Sequence, residues 1–444
     1  MQIFSAYRNY SSFPLKLIKT KDLFLSERNS SLFSKFLQKL LHNNFIKTPF
    51  FPGLLLFSVL LISGLINHEQ SDSFSWIYKS EFSDIALFMF GILIYSLARK
   101  NQKNRKVLTT AFEIFIVVLI ISGVISLFSE FRLSKIIMQH EMIPSASNRP
   151  QHPFFNLFGA QLYQPIGFMN TRLTYAGLMI IILPYTFAKI FNETGLLRTG
   201  RKISLLIFIA GILILIFNNS RSAQAGILAA VLISIPSIVY LRPFRINRIC
   251  IPGFLLFMTA GLLASGIYLH IHPEKLPSLE NKITRYTDYQ RPIIWKGSWE
   301  LFLESPITGA GPGQFTAETY RIREIYVSLY PELLYFSNNT PAGHAHNDFL
   351  HLLSVGGIFA GVFYLAVLLI TAGFLFKNKL ISKTSGFIQE DFTAVFLSTG
   401  VIAVFIAGLA QCYFQDDETV AVIWTAIALI SASENSGHRT LHFD

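Results

Sequence analysis

The chain is short of charge. Only 14% of its 444 residues are Asp, Glu, Lys or Arg, whereas soluble domains carry about 25%. The deficit falls in long apolar runs, so lipid is the solvent for most of the chain and a soluble globular fold is excluded. Cysteine is almost absent. Cys250 and Cys412 lie at opposite membrane faces in the topology below, which argues against a disulfide between them and excludes a thiolate metal site. Nucleotide and metal motifs are missing as well: there is no Walker GK[ST], kinase set, HExxH or DxD-type cluster. Gly309-Ala-Gly-Pro-Gly313 superficially matches a dinucleotide fingerprint. No βαβ pattern surrounds it, and Pro312 blocks a helix opening there. The run reads as a tight turn near the membrane, whose amides could also meet an anion.

Apolar length is what the chain has. Hydrophobic residues make up 52% and the mean hydropathy is +0.46. A spanning helix needs about 20 apolar residues. Ten stretches qualify approximately: 50–67, 84–98, 107–128, 173–191, 203–218, 222–241, 249–270, 347–376, 392–411 and 418–433. The expected fold class is an all-α polytopic membrane protein with about 10–12 transmembrane helices. Nearly fifty mostly polar residues precede the first run, so no cleaved signal is expected. We expect a basic tail over 1–48, an N-terminal bundle over 49–270, a large loop over 271–345 and C-terminal helices over 346–444. In the tail, Phe33, Phe36, Leu37, Leu40 and Leu41 have the spacing of a helix lying on an anionic leaflet; a weakly ordered basic tail fits equally.

The net charge of +11 is a topology signal rather than a nucleic-acid signal. Residues 1–48 hold eight Lys and Arg. With that tail in the cytoplasm, the segments 99–106, 189–202, 242–248 and 377–391 carry five, four, three and three, while 68–83 and 412–418 carry one and none. The outer segments 129–172 and 271–345 are too long to be simple connectors. The second holds Tyr286, Tyr289, Trp295, Trp299, Tyr320, Tyr326 and Tyr330, with an amphipathic stretch around Ile293–Leu303. These rings suit headgroup-level anchoring or stacking on sugar rings. Glu113, inside the third span, reads as snorkelling toward the basic 99–106 loop; a proton-coupled role would require it to be essential.

Three arginines stand at outer boundaries: Arg172 where the fourth span begins, Arg221 in the turn Asn218-Asn-Ser-Arg-Ser222, and Arg291 in Arg291-Pro-Ile-Ile-Trp295. A guanidinium binds phosphate oxygens bidentately and keeps its charge, so three converging arginines would suit a diphosphate without a metal. Taken singly, each also fits headgroup snorkelling. The segment Gly343-His344-Ala-His346-Asn347-Asp348-Phe-Leu-His351 closes the large loop. An imidazole near neutral pKa can take a proton from a hydroxyl. Zinc binding is less favoured, since Asp348 is the one acidic partner nearby.

Together these residues resemble the O-antigen ligase and polymerase superfamily over about residues 165–411. The resemblance is carried by Ser220-Arg221-Ser222, Arg291-Pro-Ile-Ile-Trp295, Gly309-Ala-Gly-Pro-Gly-Gln-Phe315 and His344-Ala-His346-Asn347. His346-Asn347 is followed by nine residues and then Gly357, with Ala360 in place of the family's second glycine. The resemblance implies a membrane glycosyltransferase-C-like fold. It also implies transfer, without cofactor, metal or nucleotide, of a glycan from undecaprenyl diphosphate to a lipid A core sugar or to another lipid-linked glycan. The polyprenyl tail would enter from the lipid. His346, Arg221 and Arg291 would be catalytic, and Arg172, His344, Asn347, Gly311 and Gly313 would bind substrate. The expected setting is a bacterial inner membrane, with the N-terminus cytoplasmic and the site facing the periplasm. Ligase and repeat-unit polymerase share these motifs. A flippase is the alternative of another class, though no inverted repeat is visible.

Overall fold

The computed structural model describes residues 45–67, 76–130, 133, 155–157, 159–191, 196–241, 287–329, 343–381 and 389–434. The chain divides into two units, Met1–Lys47 and Thr48–Asp444, and the architecture below is that of the second. The helical tail expected over 33–41, the span expected over 249–270 and Cys250 lie outside the described residues.

The architecture is all-α and polytopic. Eleven helices of more than two turns are described: α1 Phe50–Asn67, α2 Ile85–Lys100, α3 Gln102–Leu127, α4 Arg172–Ile190, α5 Arg201–Asn218, α6 Arg221–Leu241, α7 Thr287–Glu304, α8 Phe315–Leu329, α9 Asp348–Ile381, α10 Gln389–Ala407 and α11 Asp417–Glu434. Nine of the ten expected spans coincide with one of these within a few residues. Six have the length and apolarity to cross a membrane: α1, α2 with the preceding 3₁₀ turn Glu81–Asp84, α3, α4, α5 and the first part of α9. Two shorter apolar stretches, Arg221–Ser234 and Phe392–Ala407, accompany them.

Local sequence sets the helix starts. Asn101 Oδ1 accepts from Asn104 N, Thr171 Oγ1 from Thr174 N, and Asn347 Oδ1 from Leu350 N, so three helices open on side-chain caps. Helix α4 is the centre of the bundle. It is 89% buried over its apolar window, against 39–44% for the other five candidate spans, whose outer faces are left to lipid. Helix α4 packs on α5, α6, α10 and α11, and α11 on α2. Trp424 on α11 is fully buried and meets Phe50, Phe88 and Phe414 with ring centroids 4.8–6.0 Å apart.

Two features were not expected. A short antiparallel hairpin, β1 Phe155–Leu157 and β2 Ala160–Leu162, sits in the 129–172 loop, with Phe155 opposite Leu162. Helix α9 is also broken at Gly357, where φ is +70°. A side chain there would strike the Ile307 carbonyl at 2.3 Å, so the break requires glycine. The carbonyls that the break frees are satisfied by the glycine turn: Ala310 N donates to Ser354 O and Gly311 N to Val355 O, at 2.8 and 2.9 Å. Ile358 N donates to Pro306 O in return. Gly309, Gly311 and Gly313 all have positive φ, as the tight-turn expectation requires.

Candidate active site

One end of the bundle gathers the beginnings of α2, α4, α6, α9 and α11 and the ends of α1, α3, α5 and α10. Contacts between distant segments bind this end together. Asn218, at the end of α5, donates through Nδ2 to Pro165 O and to Arg172 O, at 2.8 and 3.0 Å. That places the start of α4 beside the turn that carries Arg221. Arg172 is exposed and donates through Nη1 to Gln164 Oε1 at 3.2 Å. Arg221, also exposed, opens α6. Its neighbours Ser220 and Ser222 are buried, and Ser222 Oγ lies 2.8 Å from the Tyr413 hydroxyl.

Tyr413 belongs to the loop 408–416 between α10 and α11, and that loop also seats the histidines. His346 Nδ1 is 3.2 Å from Gln411 Oε1, and Asn347 Nδ2 donates to Leu409 O at 2.9 Å. Asp348 is buried; its backbone N donates to Gly408 O, and its carboxylate accepts from the amides of Tyr413 and Phe414, at 3.2 and 3.0 Å. The segment 346–348 is therefore strapped to the loop through side chain and backbone. His346 adopts φ +50°, a left-handed conformation that a non-glycine residue keeps only when its surroundings overdetermine it.

The imidazoles of His344 and His346 meet edge-on, with centroids 4.3 Å apart. Burial pushes the pKa of His344 down to about 4; a proton on His346 or His351 would oppose its protonation further, as does the charge of Arg291. Burial also lowers that of His346; the Gln411 hydrogen bond opposes this and Arg291 adds to it. Both rings are thus neutral at pH 7. The amide oxygen of Gln411 accepts, so Nδ1 of His346 carries the proton and Nε2 keeps its lone pair. Arg291, half-buried on α7, is close enough for its charge to act on both histidines.

The remaining expected residues fall as follows. Asn347 is the N-cap of α9 and a tie to Leu409. The amide of Gly311 donates to Val355 O and that of Gly313 to Glu81 Oε2, so the amides proposed to meet an anion here face protein acceptors. Glu113 lies at the far end of α4 and pairs with Lys189 rather than with the 99–106 loop: Lys189 Nζ is 2.7 Å from Oε1. A small apolar crevice lined by Leu183, Phe187, Phe208, Ile227 and Phe396 also lies toward that end. Sequence reasoning missed Gln411, Tyr413 and Glu81. Each is distant in sequence from its partner in the site, and no motif announces it.

Residues 205–365 match the O-antigen ligase family. The matched stretch takes in Arg221, Arg291, the glycine turn and the histidine segment, and leaves out Arg172, Glu81 and Gln411. No curated protein matches the chain.

Proposed function

We propose, from the match of residues 205–365 of this membrane protein to the O-antigen ligase family, that it transfers a glycan from undecaprenyl diphosphate to a sugar hydroxyl of the lipid A core. The observation that carries the reading is one juxtaposition. A neutral imidazole with its Nε2 lone pair available sits within the field of Arg291, and the 408–416 loop that holds it through Gln411 is hydrogen-bonded through Tyr413 to Ser222, next to Arg221.

The chemistry asks little of the protein beyond this. The sugar–diphosphate bond is already activated. His346 Nε2 takes the proton of the acceptor hydroxyl, whose oxygen attacks the anomeric carbon. The bond from that carbon to the diphosphate oxygen breaks, and the diphosphate leaves on its polyprenol. Arg221 and Arg291 stabilise the charge gathering on it, with Arg172 as a third contact. His344 and Asn347 position the acceptor side. Gly311 and Gly313 contribute through the turn they shape. On this reading the 271–345 loop and the site face the periplasm of a bacterial inner membrane, and the 1–48 tail is cytoplasmic.

The test is transfer in vitro, from a purified polyprenyl-diphosphate glycan to lipid A core, with a chelator present throughout. Glycan should appear on the core. Glycan lengthened on the polyprenol instead would make the protein a repeat-unit polymerase, and no transfer to either acceptor would overturn the reading.

A further inference from the structure

Two groups at this end, one buried and one nearly so, have no part in the chemistry above. Glu81 opens the 3₁₀ turn before α2, and Ser80 caps that turn by accepting from Phe82 N at 3.2 Å. His351 lies one turn into α9. Its side chain is 0% exposed, so it cannot touch a substrate. The two meet across 270 positions of sequence, with Glu81 Oε1 2.8 Å from His351 Nε2.

The hydrogen count fixes the state of the pair. Glu81 Oε2 accepts from Gly313 N at 2.7 Å, and Oε1 faces Nε2, so Nε2 carries a proton. On the opposite edge of the ring, Nδ1 accepts from Ala345 N at 3.4 Å and must be without one. Ala345 is fully buried and sits between His344 and His346, just before the left-handed backbone of His346. The ring of Phe315, two residues after the glycine turn, packs on His351 with centroids 4.5 Å apart. One carboxylate therefore holds the glycine turn with one oxygen and, through the imidazole, the histidine segment with the other.

We infer that Glu81 and His351 are a positioning pair for the transfer reaction, holding the backbone at Ala345 so that His346 is aimed at the acceptor and the glycine turn is fixed to the same carboxylate. The inference rests on the function proposed above. Its physical content is register: a catalytic group displaced by about 1 Å can cost on the order of 10²-fold in rate. Gln at position 81 keeps the size but has a single acceptor oxygen, so it must turn an NH₂ toward either Gly313 N–H or His351 Nε2–H.

Two measurements test it. In ¹⁵N-histidine NMR of the unsubstituted protein, the resonance removed by His351→Gln should belong to a neutral ring protonated at Nε2. A ring protonated at Nδ1 would overturn the pair. In reconstituted protein given a polyprenyl-diphosphate glycan and lipid A core, donor-binding stoichiometry counts the folded sites. Glu81→Gln should lower kcat per bound donor by about 10²-fold, with KM for the donor within about twofold. The double variant Glu81→Gln, His351→Gln should be no slower than the slower single variant. Unchanged kcat in Glu81→Gln, a loss explained by fewer binding sites, or additive losses in the double variant would each overturn the pair. Failure of the unsubstituted protein to transfer would instead overturn the functional reading itself.

Discussion

Helix α4 begins at Arg172 and ends near Lys189, about 26 Å away at the helical rise. Its two ends handle charge in opposite ways. At the far end a single carboxylate is fully occupied: Glu113 Oε1 accepts from Lys189 Nζ and from the Tyr185 hydroxyl, at 2.7 and 2.9 Å, and Oε2 accepts from Leu197 N at 2.7 Å. Both oxygens of Glu113 are thus engaged by the protein, and the group clamps the 196–204 segment to the bundle. At the near end Arg172 and Arg221 are exposed, and two half-buried imidazoles are kept neutral. A buried charge in a membrane helix invites a functional explanation, but partner geometry decides between clamp and site.

The largest expected effect belongs to the near end. His346→Ala should reduce transfer by about 10²–10⁴-fold, the usual worth of a general base. Product formation in reconstituted protein measures this, and a variant within twofold of the parent would remove His346 from the mechanism. Arg221→Ala and Arg291→Ala should each cost about 10²–10³-fold while insertion is unaffected. Wild-type surface glycan in both would end the leaving-group assignment.

The far end should behave differently. Glu113→Leu strands Lys189 and should destabilise the fold by about 3–5 kcal/mol, read as a lower unfolding midpoint. Transfer per folded molecule should stay unchanged. Lost transfer at full stability would erase the contrast between the ends and revive a proton-coupled role.

Two smaller effects sharpen the near end itself. His344→Ala should be milder than His346→Ala in the same transfer assay; the reverse order would move the base to His344. The acid limb of the pH profile should have its midpoint below 6.5, because burial and Arg291 lower the His346 pKa and neutral imidazole persists until the pH falls through it. Activity should therefore be level around pH 7. A midpoint above 6.5 would mean that the base has a different environment.

Much of this was legible in advance where the signal is local. The apolar run 50–67 became a helix with those very ends. The histidine segment and the three arginines were visible as polar groups gathered at span boundaries. Glu113 shows where local reading failed. Its position beside a basic loop suggested that loop as its partner, whereas Lys189 lies nearer once α3 and α4 are connected through their neighbours. Glycines 309–313 were correctly read as a turn. That the turn completes the hydrogen bonding of a helix broken at Gly357 was hidden, because donor and acceptor lie on separate segments.

The amino-acid sequence by itself determined that this chain lives in lipid, where its helices run and which polar residues sit at their ends. Those are matters of solvation and of hydrogen bonds within a few residues. Only the tertiary structure decided that Glu81 meets His351, that Gln411 orients His346 and that Glu113 is neutralised by Lys189. Each of those pairs joins residues from different helices or loops, and which groups become neighbours depends on how whole helices pack, a choice no short stretch of sequence contains.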